Sequence, residues 1–212
     1  MKVLLFNGSP KESGCTYTAL KEIADTLNKE GIETLIYHAG RDGVLPCKAC
    51  KACIKLKKCV IDDKVNEFVN LMEEFDGLII GSPVHYAAGS AYATSFIGRA
   101  FYSASLAGKK HVFAHKPGAI IASARRAGTT ATLDHLAKYF SISQMPIISG
   151  RYWNMVHGQN PDEVKKDLEG MQNMRYLARN FAYHLKCKEA GKLAGIEAPV
   201  DEEVTYTNFI RE

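Results

Sequence analysis

The chain has 212 residues, 46% of them hydrophobic, with 27 basic and 23 acidic side chains and a formal net charge of +4. That length and apolar content suffice for one sizeable core and demand no second domain. The basic residues are spread along the chain apart from one lysine-rich loop, which argues against nucleic acid as a partner. The amino terminus, MKVLLFNGSPKESG, has too few apolar positions before Gly8-Ser9-Pro10 for a signal peptide or a membrane span. A cytoplasmic protein with no membrane partner is expected, and in a reducing compartment its six cysteines are not expected to pair as disulfides.

Five short apolar, branched runs read as buried strands: Val3 to Phe6, Thr34 to Tyr37, Gly77 to Ile80, Ala119 to Ala122 and Pro146 to Ile148. Helical spacing fills the segments between them. Leu20, Ile23, Ala24 and Leu27 share one face after the first run, and Leu133, Leu136, Ala137 and Phe140 share another after the fourth. A last helix is expected from about Pro161, with Val164, Leu168, Met171, Leu177, Phe181 and Leu185 on one face. Strict alternation implies right-handed crossovers and a doubly wound, five-stranded parallel α/β sheet, most simply in the flavodoxin order 2-1-3-4-5. Residues 1–190 make the domain, with a cysteine-rich loop at 46–60. Residues 191–212, which include Tyr206 and Phe209, form a polar tail that either dangles or packs on another subunit.

In such sheets ligands sit outside the carboxyl ends of the strands, so the following loops carry the function. After the first strand comes Asn7-Gly8-Ser9-Pro10-Lys11-Glu12-Ser13-Gly14-Cys15-Thr16, which then opens a helix. It matches neither G-x-G-x-x-G nor G-x-x-x-x-G-K-[ST]. It offers hydroxyls from Ser9, Ser13 and Thr16, a cation at Lys11 and free backbone N–H groups at a helix start. These suit a phosphate monoester, although an ordinary polar turn before a helix would look similar. After the third strand, Pro83-Val84-His85-Tyr86-Ala87-Ala88-Gly89 sets small residues around one aromatic pair, a loop able to lie against a planar ring or simply to turn. After the fourth, Ser123-Ala124-Arg125-Arg126-Ala127-Gly128 places two arginines at a helix start, where they stabilise negative charge or form a solvated basic turn.

Between the second strand and its helix, Cys47, Cys50, Cys53 and Cys59 have the spacing C-x2-C-x2-C-x5-C. A compact triplet with a nearby fourth cysteine resembles ferredoxin loops around a 4Fe-4S cubane, whereas structural zinc sites usually separate two C-x2-C pairs more widely. Ferredoxin runs place the fourth cysteine after three residues rather than five, which makes Cys59 the loosest of the four assignments. Lysines at 48, 51, 55, 57 and 58 either offset cluster charge, attract an acidic redox partner or are simply solvated. Cys187 reads as a packing residue or exposed thiol.

The segments GSPKESGCT and GSPVHYAAGSA, with the cysteine loop between them, resemble the NADPH-dependent FMN reductases of flavodoxin-like fold, and within them the iron-sulfur flavoproteins. The resemblance spans residues 1 to about 187. It implies FMN with its phosphate at Ser9, Lys11, Ser13, Cys15 and Thr16, and its ring between residues 83–86 and 123–128, with Pro83, Val84, His85, Tyr86, Ser123, Arg125, Arg126 and Gly128 in contact. The family often has arginine where this chain has Lys11 and asparagine where it has Cys15. His85, Tyr86 and Arg125 are the candidates for contact with ring or substrate, since the flavin itself carries the chemistry.

The expected activity is an FMN-dependent oxidoreductase moving electrons between NAD(P)H or ferredoxin, FMN, a 4Fe-4S cluster and a protein or small-molecule acceptor. The alternatives are a cluster-free NAD(P)H-dependent FMN or quinone reductase, and a non-catalytic zinc or thiol redox-sensing module. A homo-oligomer, dimer or tetramer, is expected from the resemblance, with Trp153 and the tail as candidate contacts.

Overall fold

In the computed structural model, which describes residues 1–207, the first four branched runs lie side by side as strands. They are β1 (Lys2–Asn7), β2 (Glu33–His38), β3 (Gly77–His85) and, after a two-residue strand β4 (Ala88–Gly89), β5 (Gly118–Ala124). With β6 (Met155–His157) the sheet runs β2-β1-β3-β5-β6, all parallel, and β4 folds back antiparallel on β3. The parallel strands thus keep the expected flavodoxin-like order. The sheet has six strands rather than five because residues 84–89 turn back on themselves as a hairpin.

Period-two alternation sends β1 side chains to both faces. Leu4 and Phe6 pack with Phe68, Phe96 and Phe140 from α3 (Lys64–Leu71), α4 (Ala91–Leu106) and α5 (Thr129–Ile142). Val3 and Leu5 pack with Leu20, Ile23 and Leu27 of α1 (Cys15–Lys29) and with Leu177 and Phe181 of the last helix. Each of these fully buried side chains contributes about 1.5–3 kcal/mol of transfer free energy. Two cores, one per face, fix the strand ends from which the site loops spring.

The last strand differs from expectation. Ile147 makes only an isolated bridge to Gly118, and Pro146 has no N–H to extend a ladder. The chain then bulges through Gly150 to Asn154 before returning to β5 as β6. The buried Asn173 satisfies that bulge, accepting from Arg151 N and Tyr152 N and donating to the carbonyls of Tyr152 and Trp153. The expected single terminal helix is two: a short α6 (Pro161–Lys166) and α7 (Leu168–Leu193), broken at Asp167, whose carboxylate caps Gly170 N. The break rotates Leu168 into solvent, 76% exposed, and Met174 takes a place in the buried face. α7 runs past Gly191 to Leu193; Tyr206 is exposed, and Phe209 lies outside the described residues. Among the described residues no helix is long and apolar enough to cross a membrane.

Gly8, just after β1, shows how tightly the site is built. A Cβ there would stand 2.5 Å from Ala93 Cβ and 2.9 Å from the Gly81 carbonyl, both fixed by backbone. Gly8→Ala is expected to destabilise the fold by about 2–3 kcal/mol in urea denaturation, as overpacking with no flexible neighbour does.

At the opposite end of the sheet, Lys116 donates to the Met72 carbonyl at 2.7 Å, and burial pushes its ammonium down to about 8, against a partial offset from Asp76. The unfolded chain keeps this proton up to about pH 10.5, so between those values the unfolded state binds more protons and stability rises with pH. Measured by denaturant at several pH values, wild type should gain on Lys116→Met across that window. A constant difference would contradict this assignment.

Candidate functional site

At the carboxyl edge of the sheet the loops after β1, β3, β5 and β6 enclose a cleft of about 350 Å³. The first loop is braced from within. Asn7, fully buried at the strand end, accepts from Ser9 N at 3.2 Å and donates to the Glu12 carbonyl at 3.1 Å, while Ser9 Oγ accepts from Lys11 N at 3.1 Å. His38, at the end of β2, meets the Ser9 carbonyl through Nε2 at 2.8 Å. Across the cleft, Thr16 Oγ1 and Ser123 Oγ lie 2.8 Å apart, tying the first loop to the end of β5. Cys15 Sγ donates to the Gly158 carbonyl at 3.6 Å, tying α1 to the loop after β6, and burial pushes its thiol up.

The loop after β3 is held by serines. Ser82 Oγ accepts from Ser90 N at 3.0 Å, and Ser90 Oγ donates to the Gly8 carbonyl at 2.7 Å while capping Ala93 N. Gly128 brings the loop after β5 against it: its φ is +87°, and a Cβ would stand 2.7 Å from Val84 Cγ1.

The helices that begin on this side of the sheet differ in their caps. Of the helices of eight residues or more, α3, α4 and α7 begin with a side-chain cap from Asp63, Ser90 and Asp167. Only α1 and α5 begin on glycine, at Gly14 and Gly128, with no side-chain cap and no acidic residue in the first turn. Both open at the loops that form the cleft. The bare start of α1, with Lys11 and Arg125 on the rim and no carboxylate among the described lining residues, makes the cleft complementary to an anion.

The cysteine loop, which contains the short α2 (Ala52–Leu56), forms a second site against α4. Cys47, Cys50, Cys53 and Cys59 all open onto one cavity, closed by Val60, Ile61 and Arg99. All six cysteines are unbridged; Cys53 and Cys59 are buried, Cys47 and Cys50 exposed. The loop curls through three non-glycine residues in the left-handed region, Ala49, Lys51 and Lys57, with φ of 52°, 57° and 58°. Each costs on the order of 1–3 kcal/mol and persists only where surrounding structure enforces it. Ala49 N donates to Cys47 Sγ at 3.4 Å, and Asn66 clamps Cys59 by accepting from its N at 3.0 Å and donating to its carbonyl at 3.0 Å. Burial, reinforced by the neighbouring thiols, pushes Cys53 up. Arg99, 1% exposed, donates through Nη2 to the Asp63 carboxylate, but its Nε and Nη1 have no partner among the described residues. Buried donors left unmade cost about 1–3 kcal/mol each. Among the described residues, no three His, Cys, Asp or Glu side chains converge tightly enough to hold a single metal ion.

The NADPH-dependent FMN reductase family model matches residues 1–160. The chain belongs to this family. It is an FMN-dependent oxidoreductase of flavodoxin-like fold. An iron-sulfur flavoprotein of Methanocaldococcus jannaschii is 29% identical over 192 residues, covering 88% of this chain and 98% of that protein. Among solved structures, RosB with bound 8-demethyl-8-formylriboflavin-5'-phosphate superposes with a TM-score of 0.69 at 16% identity, covering 99% of this chain and 92% of the other. A flavodoxin from the domain Archaea gives 0.57 at 14% identity, covering 88% and 99%.

Of the residues that family membership pointed to, the cleft gathers Ser9, Lys11, Cys15 and Thr16 on one side and Pro83, Val84, His85, Ser123 and Arg125 on the other. Ser13, Tyr86, Arg126 and Gly128 do not line it. Tyr86 sits at φ 63° and is wholly exposed at the hairpin tip, and Gly128 shapes the loop rather than facing the cleft. Sequence reasoning missed Gly158 and Gln159, which line the cleft after β6, because it ended the sheet at Ile148. It also missed Arg99, although that is the sole charged residue in α4.

Proposed function

We propose that the cleft holds FMN with its phosphate over the starts of α1 and the Ser9 to Thr16 loop, and its ring between Pro83 to His85 and Ser123 to Arg125. We further propose that Cys47, Cys50, Cys53 and Cys59 ligate a 4Fe-4S cluster. FMN supplies two-electron uptake from a nicotinamide and one-electron delivery onward, and the cluster supplies a one-electron relay to a protein or small-molecule acceptor. The chain's own residues bind and orient. Ser9, Thr16 and the uncapped N–H groups take the phosphate, Lys11 neutralises it, and Arg125 stabilises negative charge on the reduced ring. His85 borders the ring site, where it meets ring or substrate.

The observation that carries the FMN site is the bare start of α1 in a cleft with no carboxylate among its described lining residues. Support for the cluster is the convergence of four thiols on one cavity lined by a partly unpaired guanidinium, and the name borne by the M. jannaschii relative. The cluster-free FMN or quinone reductase keeps one observation in its favour, the absence of a tight three-residue ligand group among the described residues. Protein purified without oxygen decides between them: flavin bands over a broad visible absorption with acid-labile sulfide support the cluster, and flavin bands alone support the simpler reductase.

We also propose a homo-oligomer that uses the exposed pair Tyr152 and Trp153, each 58% exposed, with ring centroids 4.8 Å apart and planes tilted by 57°. Such exposed aromatic surface suits a contact with a second copy. Sedimentation at micromolar concentration should show a dimer or tetramer, and a monomer would remove the claim.

A further inference from the structure

We infer that Arg99 is a positioning residue for the group held by the cysteine loop, donating through Nε and Nη1 to its sulfur atoms and stabilising its reduced form. This rests on the cluster reading above. Three observations meet at this side chain. It lines the same cavity as Cys47, Cys50, Cys53 and Cys59; it is buried to the last atom; and two of its three nitrogens have no partner among the described residues.

A guanidinium cannot shed its charge to escape burial, so buried donors left unpaired on a residue that lines a cavity call for an acceptor beside them. The walls offer few. Val60 and Ile61 have no polar side-chain atom, and the hydroxyls of Tyr102 and Ser103 accept from neither Arg99 Nε nor Nη1. Cysteinate and sulfide sulfurs are acceptors of the right charge, and hydrogen bonds to them are a main determinant of cluster potential. The loop lysines at 48, 51, 55, 57 and 58 are all exposed and screened by solvent. Arg99 is the cation on the dry side, where its charge acts with little screening.

Asp63 sets the strength of that charge. It receives Arg99 Nη2, caps Val65 N at the start of α3, and lies close to the clamp that Asn66 places on Cys59. Removing the cation and removing its counter-charge should therefore move the cluster in opposite directions. A merely structural role would predict no such opposition.

The test is an anaerobic redox titration followed by electron paramagnetic resonance on three proteins: wild type, Arg99→Gln and Asp63→Asn. In Arg99→Gln the equilibrium constant for one-electron reduction of the cluster should fall at least tenfold, a shift of about 59 mV or more to lower potential. In Asp63→Asn, where asparagine still caps α3, the potential should rise, with the flavin potentials unchanged in both. Full iron and sulfide in Arg99→Gln at an unchanged potential would overturn the inference, as would shifts of the same sign in both variants. Should Arg99→Gln fail to fold or to keep iron, Asp63→Asn decides alone, and an unchanged or lowered potential overturns it. Wild type lacking acid-labile sulfide would instead sink the underlying cluster reading, and this inference with it, before any variant is made.

Discussion

Ser9→Glu is expected to weaken FMN binding by at least about 100-fold, roughly 2.7 kcal/mol, because it sets a carboxylate at the proposed phosphate site. Ser9 is 5% exposed and its backbone is held by Asn7 and His38, so the new charge has little freedom to swing away. Lys11→Glu provides a gentler reversal on an exposed side chain and should cost about tenfold. Ser9→Ala, which removes only the hydroxyl, should stay close to wild type if the uncapped N–H groups of α1 do most of the holding. Quenching of flavin fluorescence on titration with FMN measures all three. An unchanged affinity in Ser9→Glu, in protein with native circular dichroism, would place the phosphate elsewhere.

Cys50→Ala should abolish acid-labile sulfide and the broad visible absorption while leaving the flavin bands in place. Cys50 is the informative choice because it is exposed, whereas replacing the buried Cys53 would also open a cavity. The flavin should survive because none of the four loop cysteines lines the cleft proposed for FMN. Loss of flavin together with sulfide would mean the two sites are not separable. Retention of full sulfide would mean Cys50 is no ligand.

Much of this architecture can be read from local pattern. Val3 to Phe6 and Gly77 to Ile80 are apolar on both faces because helices cover both sides of the sheet, and that pattern alone sets them at its centre. The loop after β1 is legible for a similar reason: its hydroxyls, its lysine and the helix start are contiguous in sequence. The loss comes where the decisive contacts are long-range. β6 is three residues long and depends on Asn173, far along α7, to satisfy the bulge before it, so Met155 to His157 shows no strand signal strong enough to compete with Pro146 to Ile148. Gly158 and Gln159 were lost with it. Arg99 left a trace, a lone charge on a helix otherwise of small, hydroxyl and apolar residues, but its meaning depends on Asp63 and the cysteine cavity, neither of which is near it in sequence.

Electron uptake tests the account most directly. An anaerobic reductive titration of protein loaded with FMN, iron and sulfide should consume about three electrons per chain, two at the flavin and one at the cluster. Bleaching of the flavin bands should be accompanied by a paramagnetic cluster signal. Uptake that stops at about two electrons, with no such signal, would contradict a cluster in the cysteine loop and leave a flavin-only reductase.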